Sequence, residues 1–268
     1  MSQSTSPRPT VLLTNDDGFE APGIRMLYAA LSRYFAVITA APITEQSGVS
    51  HAFTYFKPLY CKVLDGDSPL QGFAVGGTPS DCIKLAVSTL LERKPEIIVS
   101  GMNIGENSGV SGYYSGTVAA AREGAFWQLP SFAFSVCEDG REHLTAYCER
   151  AVDILHQLLA VPDNEFVNEK NRIFFNINFP ACKPSAVRGV KACRQSMAWF
   201  NDCYKAVRGA DGEIGYEIYG AKQELESSND YDSCALQNDF ITITPLHFDA
   251  SAEAALPALA RIEDSCTK

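Results

Sequence analysis

The sequence predicts an α/β protein: a mainly parallel sheet with helices on both faces, followed by an extended C-terminal segment. Three observations predict it. Short apolar runs recur at Val11–Thr14, Ala36–Ala40, Phe73–Val75, Glu96–Ser100, Ser131–Val136 and Ile173–Phe179. Runs of this kind read as strands buried on both faces, the signature of a parallel sheet. Between them, apolar residues return at helical spacing, and strands that alternate with helices argue for parallel pairing with crossover helices. After about Ser196 that alternation stops and the chain becomes aromatic, polar and short-segmented.

The elements follow in order. Val11–Thr14 ends in Asn15-Asp16-Asp17-Gly18, and Pro22 stands where its fixed φ suits a first helical turn. Ile24, Leu27, Tyr28 and Leu31 mark that helix's core face, to about Tyr34. The Ala36–Ala40 strand leads into a second loop, Ala41–Gly48. His51–Val63 reads as extended chain broken at Pro58. Thr78-Pro79-Ser80-Asp81 is a strong helix start, with Asp81 a cap rather than a catalytic acid. Ile83, Ala86, Val87, Leu90 and Leu91 then form its core face. After Glu96–Ser100 comes a long loop with glycines at 101, 105, 109, 112 and 116, opening into a helix at Ser115-Gly116-Thr117. Leu144 to Leu159 is a clear amphipathic helix. Past Ile173–Phe179, Val187–Cys193 reads as another strand. Trp199–Tyr204 and Gly215–Tyr219 bracket a turn at Gly209–Gly212, and Ser228–Ser233 is loop-like. Phe240–Thr244 is a strand ended by Pro245, and Ser251 caps a final helix through Ala254, Ala255, Leu259 and Ile262. The expected fold is therefore Rossmann-like: a three-layer α/β core over 1–195, with 1–9 a disordered tail. An arm over 196–268, with a hairpin and terminal helix, is expected to serve oligomerisation.

Composition narrows function. The net charge of −10 and the lack of any Lys/Arg run of five disfavour nucleic-acid polymers as partners. A small phosphorylated ligand stays open, because a bound cation reverses the local field. The nine cysteines include no CxxC pair, and the four histidines lie far apart. Reduced thiols in a cytoplasmic protein are the expectation. Residues 1–9 lack the apolar core of a signal peptide, and no apolar run approaches the ~18 residues of a membrane span, so no membrane partner is expected.

Two stretches carry chemistry. In open α/β sheets ligands bind beyond the carboxyl ends of strands. Asp16 and Asp17 stand there side by side, where like charges raise each other's pKa and a cation removes that cost. They read as a divalent-metal pair, or as Asx-turn and cap chemistry. Ser47-Gly48 offers a hydroxyl and an N–H to a ligand, or is a surface turn. The glycine-rich loop lets backbone approach a ligand closely, and a helix start of small residues at Ser115–Thr117 suits phosphate. Neither the P-loop pattern nor GxGxxG is present. The missing GxGxxG and the acidic first turn count against a nicotinamide oxidoreductase. Gly18 likewise stands where a haloacid-dehalogenase-like phosphatase needs its second Asp. His51 is a candidate proton donor or a structural residue. Phe19, Tyr113 and Tyr114 could stack on a base or simply pack.

Taken together, LLTNDDG…APGI at 12–24, SGVSH at 47–51, GTPSDC at 77–82, SGMNIGENSG…YSGTVAAA at 100–121 and ITITPL at 241–246 resemble the SurE survival-protein family of 5′-nucleotidases. The resemblance implies a metal-dependent phosphatase that cleaves nucleoside 5′-monophosphates, with 3′-nucleotides and short polyphosphate as possible further substrates. It carries metal ligation onto Asp16, Asp17, Ser47 and Asn103, with Asp16 and Asp17 catalytic. Asn107, Ser115, Gly116 and Thr117 would hold the phosphate. Four oxygen donors with two formal charges suit one Mg²⁺ or Mn²⁺ per subunit, and Ca²⁺ could occupy the site. The resemblance also implies a homodimer or homotetramer through the C-terminal arm. Gln46 and Met102 depart from the residues usual at their positions. A non-catalytic nucleotide or phosphate sensor is the alternative that the same pocket allows.

Overall fold

The computed structural model describes residues 8–66, 68–161, 167–168 and 171–260. Of the expected tail, residues 1–7 lie outside these, as does Ile262 of the final helix. A sheet of ten strands runs through the core in the order β3-β4-β2-β1-β5-β6-β8-β14-β9, with β7 paired to β8. These are β1 Thr10–Thr14, β2 Ala36–Pro42, β3 Cys61–Leu64, β4 Gly72–Val75, β5 Ile97–Ile104, β6 Ser131–Val136, β7 Val167–Asn168, β8 Asn171–Phe179, β9 Gly189–Ala192 and β14 Phe240–His247. Pairing is parallel except for β3 on β4, β7 on β8 and β14 on β8. The α/β expectation thus holds.

Alternation along each strand builds two layers. Val11 and Leu13 of β1, Ile97 and Val99 of β5, Phe132 and Phe134 of β6, and Phe175 and Ile177 of β8 share one core with α1 (Pro22–Leu31) and α5 (Leu144–Leu159). Leu12 and Ile98 face the other way, onto α2 (Pro79–Leu85) and α4 (Gly116–Phe126). Each fully buried Leu, Ile or Phe contributes about 1.5–3 kcal/mol by leaving water. Thr78 caps α2 as expected: its Oγ1 accepts from Asp81 N–H at 3.1 Å, and the Asp81 carboxylate accepts from Thr78 N–H at 3.0 Å. The same carboxylate takes Thr54 N–H and Oγ1–H, both at 2.8 Å. Asp81 therefore pins the loop at 51–60, which is irregular rather than extended until β3 begins.

Three further expectations change. β5 continues four residues into the glycine loop, and a short helix α3 (Ser111–Tyr114) precedes α4, so the irregular stretch shrinks to 105–110. Pro245 does not end its strand. It lies in register with Phe175, and β9 pairs β14 only as far as Ile243, so among the described residues the flank where Pro245 lacks a donor has no strand beside it. Asp232, in the stretch expected to be loop, opens helix α6 (Asp232–Gln237). The hairpin is formed by β11 (Cys203–Arg208) and β12 (Ile214–Tyr219), while β10 (Trp199–Phe200) pairs with β13 (Lys222–Gln223) at its root. Residues from 196 onward do not all leave the core, since β14 adds a strand to the main sheet. After Ser251 a 3₁₀ turn, Glu253–Ala255, runs into helix over 256–260, where the described residues end.

Candidate metal and phosphate site

The chain lays β1, β2 and β4 outward in one direction, then crosses back to place β5, β6 and β8 on the other side of β1. The switch falls between β1 and β5, and crevices at such switch points bind ligands. The loops after β1 and β2 carry Asp16, Asp17 and Ser47, and Asn103 lies within the end of the adjacent strand β5 rather than in the loop expected after it.

Asn15–Gly18 turns tightly beyond β1. Asn15 Nδ2 donates to Gly18 O at 2.9 Å, and Gly18 takes φ +97°, which glycine adopts without strain. Asp16 is buried at 4% exposure. One carboxylate oxygen accepts Thr117 Oγ1–H at 2.5 Å, the other Thr117 N–H at 3.1 Å. A Cβ on Gly116 would come within 2.9 Å of Asp16 Cβ, so α4 abuts the aspartate only because residue 116 is glycine. Burial pushes the Asp16 carboxyl up, and the Thr117 bonds oppose this. Asp17 is less buried. Burial first, then the charge of Asp16, then that of Glu45, push it up to about 7.

The second loop is locked to the first: Gln46 N–H donates to Asp16 O at 2.7 Å, and Phe19 N–H donates to Pro42 O at 2.9 Å. Ser47 is exposed, and its hydroxyl donates to Glu45 at 2.7 Å. Near the end of β5, a bulge shifts it against β6 between Ser100 and Asn103. Gly101 lies inside it at φ +134°, where a Cβ would stand 2.4 Å from Phe134 O. Bulges re-aim side chains at sheet ends, and here the one re-aimed is Asn103. Its Nδ2 donates to Gly105 O at 2.6 Å, leaving the Oδ1 as its donor atom for a cation.

The residues fit a hard divalent cation. Two carboxylates crowd together with no basic side chain bonded to them among the described residues, and the remaining donors are a hydroxyl and an amide oxygen. Such a set suits Mg²⁺ or Mn²⁺. Among the described residues no group of three or more His, Cys, Asp or Glu side chains could hold a metal ion.

The phosphate candidates divide. Thr117 turns both its donors on Asp16, so α4 directs its N-terminus first at that carboxylate. Ser115 caps α4, its Oγ accepting from Val118 N–H at 3.1 Å, which leaves its hydroxyl hydrogen for a ligand. Asn107 is nearly buried in a polar network absent from the expected site. Its Nδ2 donates to Ser135 Oγ at 2.8 Å and its N–H to Asn178 Oδ1 at 2.8 Å. Asn176 Nδ2 donates to Asn107 O at 2.8 Å. Asn176 and Asn178 were legible as two amides at i, i+2 in an otherwise apolar strand, on the face opposite Phe175, Ile177 and Phe179.

His51 is engaged elsewhere. Its Nε2 lies 3.0 Å from Glu123 Oε2 and its ring stacks on Phe126. Glu123 also meets Lys84 Nζ at 2.9 Å and accepts Trp127 Nε1–H at 3.0 Å. Burial alone would raise the Glu123 carboxyl, but its bonds to His51 and Lys84 outweigh that and lower it. His51 is thus built into a clamp between the second loop, α2 and α4. Phe19 packs against the core beneath α1, while Tyr113 and Tyr114 are exposed.

Fold and site define a class: an α/β protein that carries oxygen donors at the ends of adjacent parallel strands at a switch point, beside a helix start built on small residues. The family model for Survival protein SurE matches residues 11–202, and the chain belongs to that family. The 5′-nucleotidase SurE of Nitratidesulfovibrio vulgaris strain DP4 is 38% identical over 255 residues, spanning 95% of this chain and 99% of the relative. That of Flavobacterium psychrophilum is 34% identical over 258 residues, 94% and 96% of the two chains. The crystal structure of the Sure protein from Aquifex aeolicus superposes with a TM-score of 0.78 at 33% identity, covering 95% of this chain and all of that one.

Proposed function

We propose that this chain is a divalent-metal-dependent phosphomonoesterase that converts nucleoside 5′-monophosphates to nucleoside and phosphate. Membership of a family whose matched relatives carry the name 5′-nucleotidase supports the nucleotidase activity. The observation that carries the metal dependence is the pairing of buried Asp16 with Asp17 at the switch point, joined through Gln46 to the loop of Ser47. Asp16, Asp17, Ser47 and Asn103 would hold the cation. Bound there, Mg²⁺ or Mn²⁺ neutralises phosphate charge and activates water.

The protein's own groups do the rest. Thr117 holds the Asp16 carboxylate in one orientation with two donors. Asp17, the less buried acid, takes the proton of the attacking water, and solvent water protonates the departing 5′-oxygen. The Ser115 hydroxyl and the second amide hydrogen of Asn107 receive phosphate oxygens, while the Gly116 N–H, like Thr117, faces Asp16. Thr117 acts on the phosphate through Asp16. Water is the nucleophile, and acid quenching should leave no labelled phosphate on the protein. Cleavage of 3′-nucleotides and short polyphosphate belongs to the same chemistry.

Among the described residues no helix is long and apolar enough to cross a membrane, and eight cysteines are free thiols. We place the protein in the reducing cytoplasm on those thiols. The β11–β12 hairpin exposes Tyr204, Ile214, Tyr216 and Ile218 at 60–68%. A lone two-stranded ribbon is marginal in water, so a second copy covering it, in a dimer or tetramer, is the expected assembly. Light scattering on the wild type and a 204–218 deletion tests that.

The deciding experiment strips the protein with EDTA and supplies AMP, GMP, CMP or UMP with or without Mn²⁺ or Mg²⁺. Free phosphate should appear only with metal and vanish in Asp16→Asn. Nucleotide binding without release under any metal would turn the reading to a sensor.

A further inference from the structure

The irregular stretch between β5 and α3 holds Asn107 and Gly109. Asn107 is tied to Ser135 of β6 and to Asn176 and Asn178 of β8, while the Gly109 side is held by two short segments that flank the exposed hairpin. Asp232, fully buried, accepts Gly109 N–H with its two oxygens at 3.2 and 3.3 Å, and also Ser196 N–H and Ser233 N–H at 2.8 Å each. Gln195 Nε2 donates to Gly109 O at 2.8 Å, and Val110 N–H to Ala198 O at 2.9 Å. Lys222 Nζ donates to Ser108 Oγ at 2.8 Å and pairs with Glu106 at 3.3 Å. Gly109 stands at φ +60°, where a Cβ would lie 2.6 Å from Ala198 O. The two flanking segments are themselves bonded, Arg194 N–H to Asp230 O and Asp232 N–H to Arg194 O.

We propose that Asp232, assisted by Lys222, is a positioning residue for phosphate recognition: it holds the glycine loop from behind so that Asn107 meets the substrate's phosphate. This rests on the phosphatase reading above. The physical reason is the convergence of N–H donors from three chain segments on one buried carboxylate. Hydrogen bonds to a charged acceptor are the stronger kind. An asparagine there would turn N–H groups towards N–H groups and release the loop. Asn107 would keep its bonds to β8, but its loop would lose the opposite anchor.

The test compares Asp232→Asn, Lys222→Met and Asn107→Ala with the wild type. It measures kcat and KM for AMP with Mn²⁺, inhibition by inorganic phosphate, and Mn²⁺ affinity by calorimetry. For Asp232→Asn, KM and the phosphate inhibition constant should both rise about tenfold, with kcat within about threefold and Mn²⁺ affinity within about twofold. A merely structural role would lower the active fraction, so kcat would fall at unchanged KM; that result overturns the proposal. Should Asp232→Asn fail to fold, Lys222→Met decides in the same way, with a rise of about threefold expected. If the wild type is active but Asn107→Ala keeps its KM, the phosphate role of the loop is wrong and the proposal falls with it. If the wild type releases no phosphate under any metal, the hydrolase reading fails by itself. Calorimetry of inorganic phosphate with Mn²⁺-loaded protein then judges the grip: weaker binding in Asp232→Asn supports it and equal binding refutes it.

Discussion

Substituting Gly116 by alanine separates stability from activity at this site. A Cβ on residue 116 would stand 2.9 Å from Asp16 Cβ, 3.1 Å from Asp16 Oδ2 and 3.1 Å from Pro79 Cγ. Carbon atoms rest at about 3.5–4.0 Å, so α4 and the Asp16 turn must part by roughly 0.6 Å or more. Overpacking of this kind costs about 1–3 kcal/mol. Alanine favours helix over glycine by up to about 1 kcal/mol, which offsets part of it. The net loss of about 0–2 kcal/mol lowers Tm by at most roughly 8 °C for a chain of this size. Activity has no such offset. The Thr117 bonds orient Asp16, and misplacement of a catalytic group by ~1 Å costs about a hundredfold, so kcat/KM should fall about ten- to a hundredfold. The assay pairs a thermal melt with Mn²⁺-dependent phosphate release from AMP. Wild-type kcat/KM in a folded variant would show that the contact between α4 and Asp16 has slack, and the orienting role of Thr117 would be refuted.

Adding Mn²⁺ at about a hundred times its dissociation constant should stabilise the wild type by about 2.7 kcal/mol. Differential scanning fluorimetry should show that shift in the wild type and none in Asp16→Asn. Glu123→Gln tests the clamp around His51. Because the folded-state carboxyl is lowered from 4.5, its contribution is present above that pH and is lost as pH falls through the lower folded value. Wild type should therefore melt above the variant at pH 7, and the gap should close below pH 4.5; a constant gap would mean that packing, not charge, holds the clamp. Phe134→Ala removes a fully buried ring between β6 and α5 and should cost about 3–5 kcal/mol in urea unfolding.

Much of the local structure was legible in the residues. Val11–Thr14 and Glu96–Ser100 are apolar on both faces, which only a covered parallel strand tolerates. Thr78-Pro79-Ser80-Asp81 specified its own capping box, because every partner lies within three residues. The turns carrying Asp16, Asp17 and Ser47 could be placed beyond strand ends for the same reason, whereas Asn103, expected in a loop, lies within β5. The expectation that Pro245 ends its strand failed because the cost of a missing donor depends on whether another strand lies on that flank.

What the sequence by itself determined is the set of elements, the faces they bury and the chemical character of the loops, all encoded within one or two helical turns of chain. Only the tertiary structure decided which loops became neighbours. Thr117 reaches Asp16 across 101 positions, Asn107 reaches Asn178 across 71, and Gly109 reaches Asp232 across 123. Periodicity says that a polar atom on a buried face needs a partner but not which one, because that choice is made by strand order and by the bulge that re-aims Asn103.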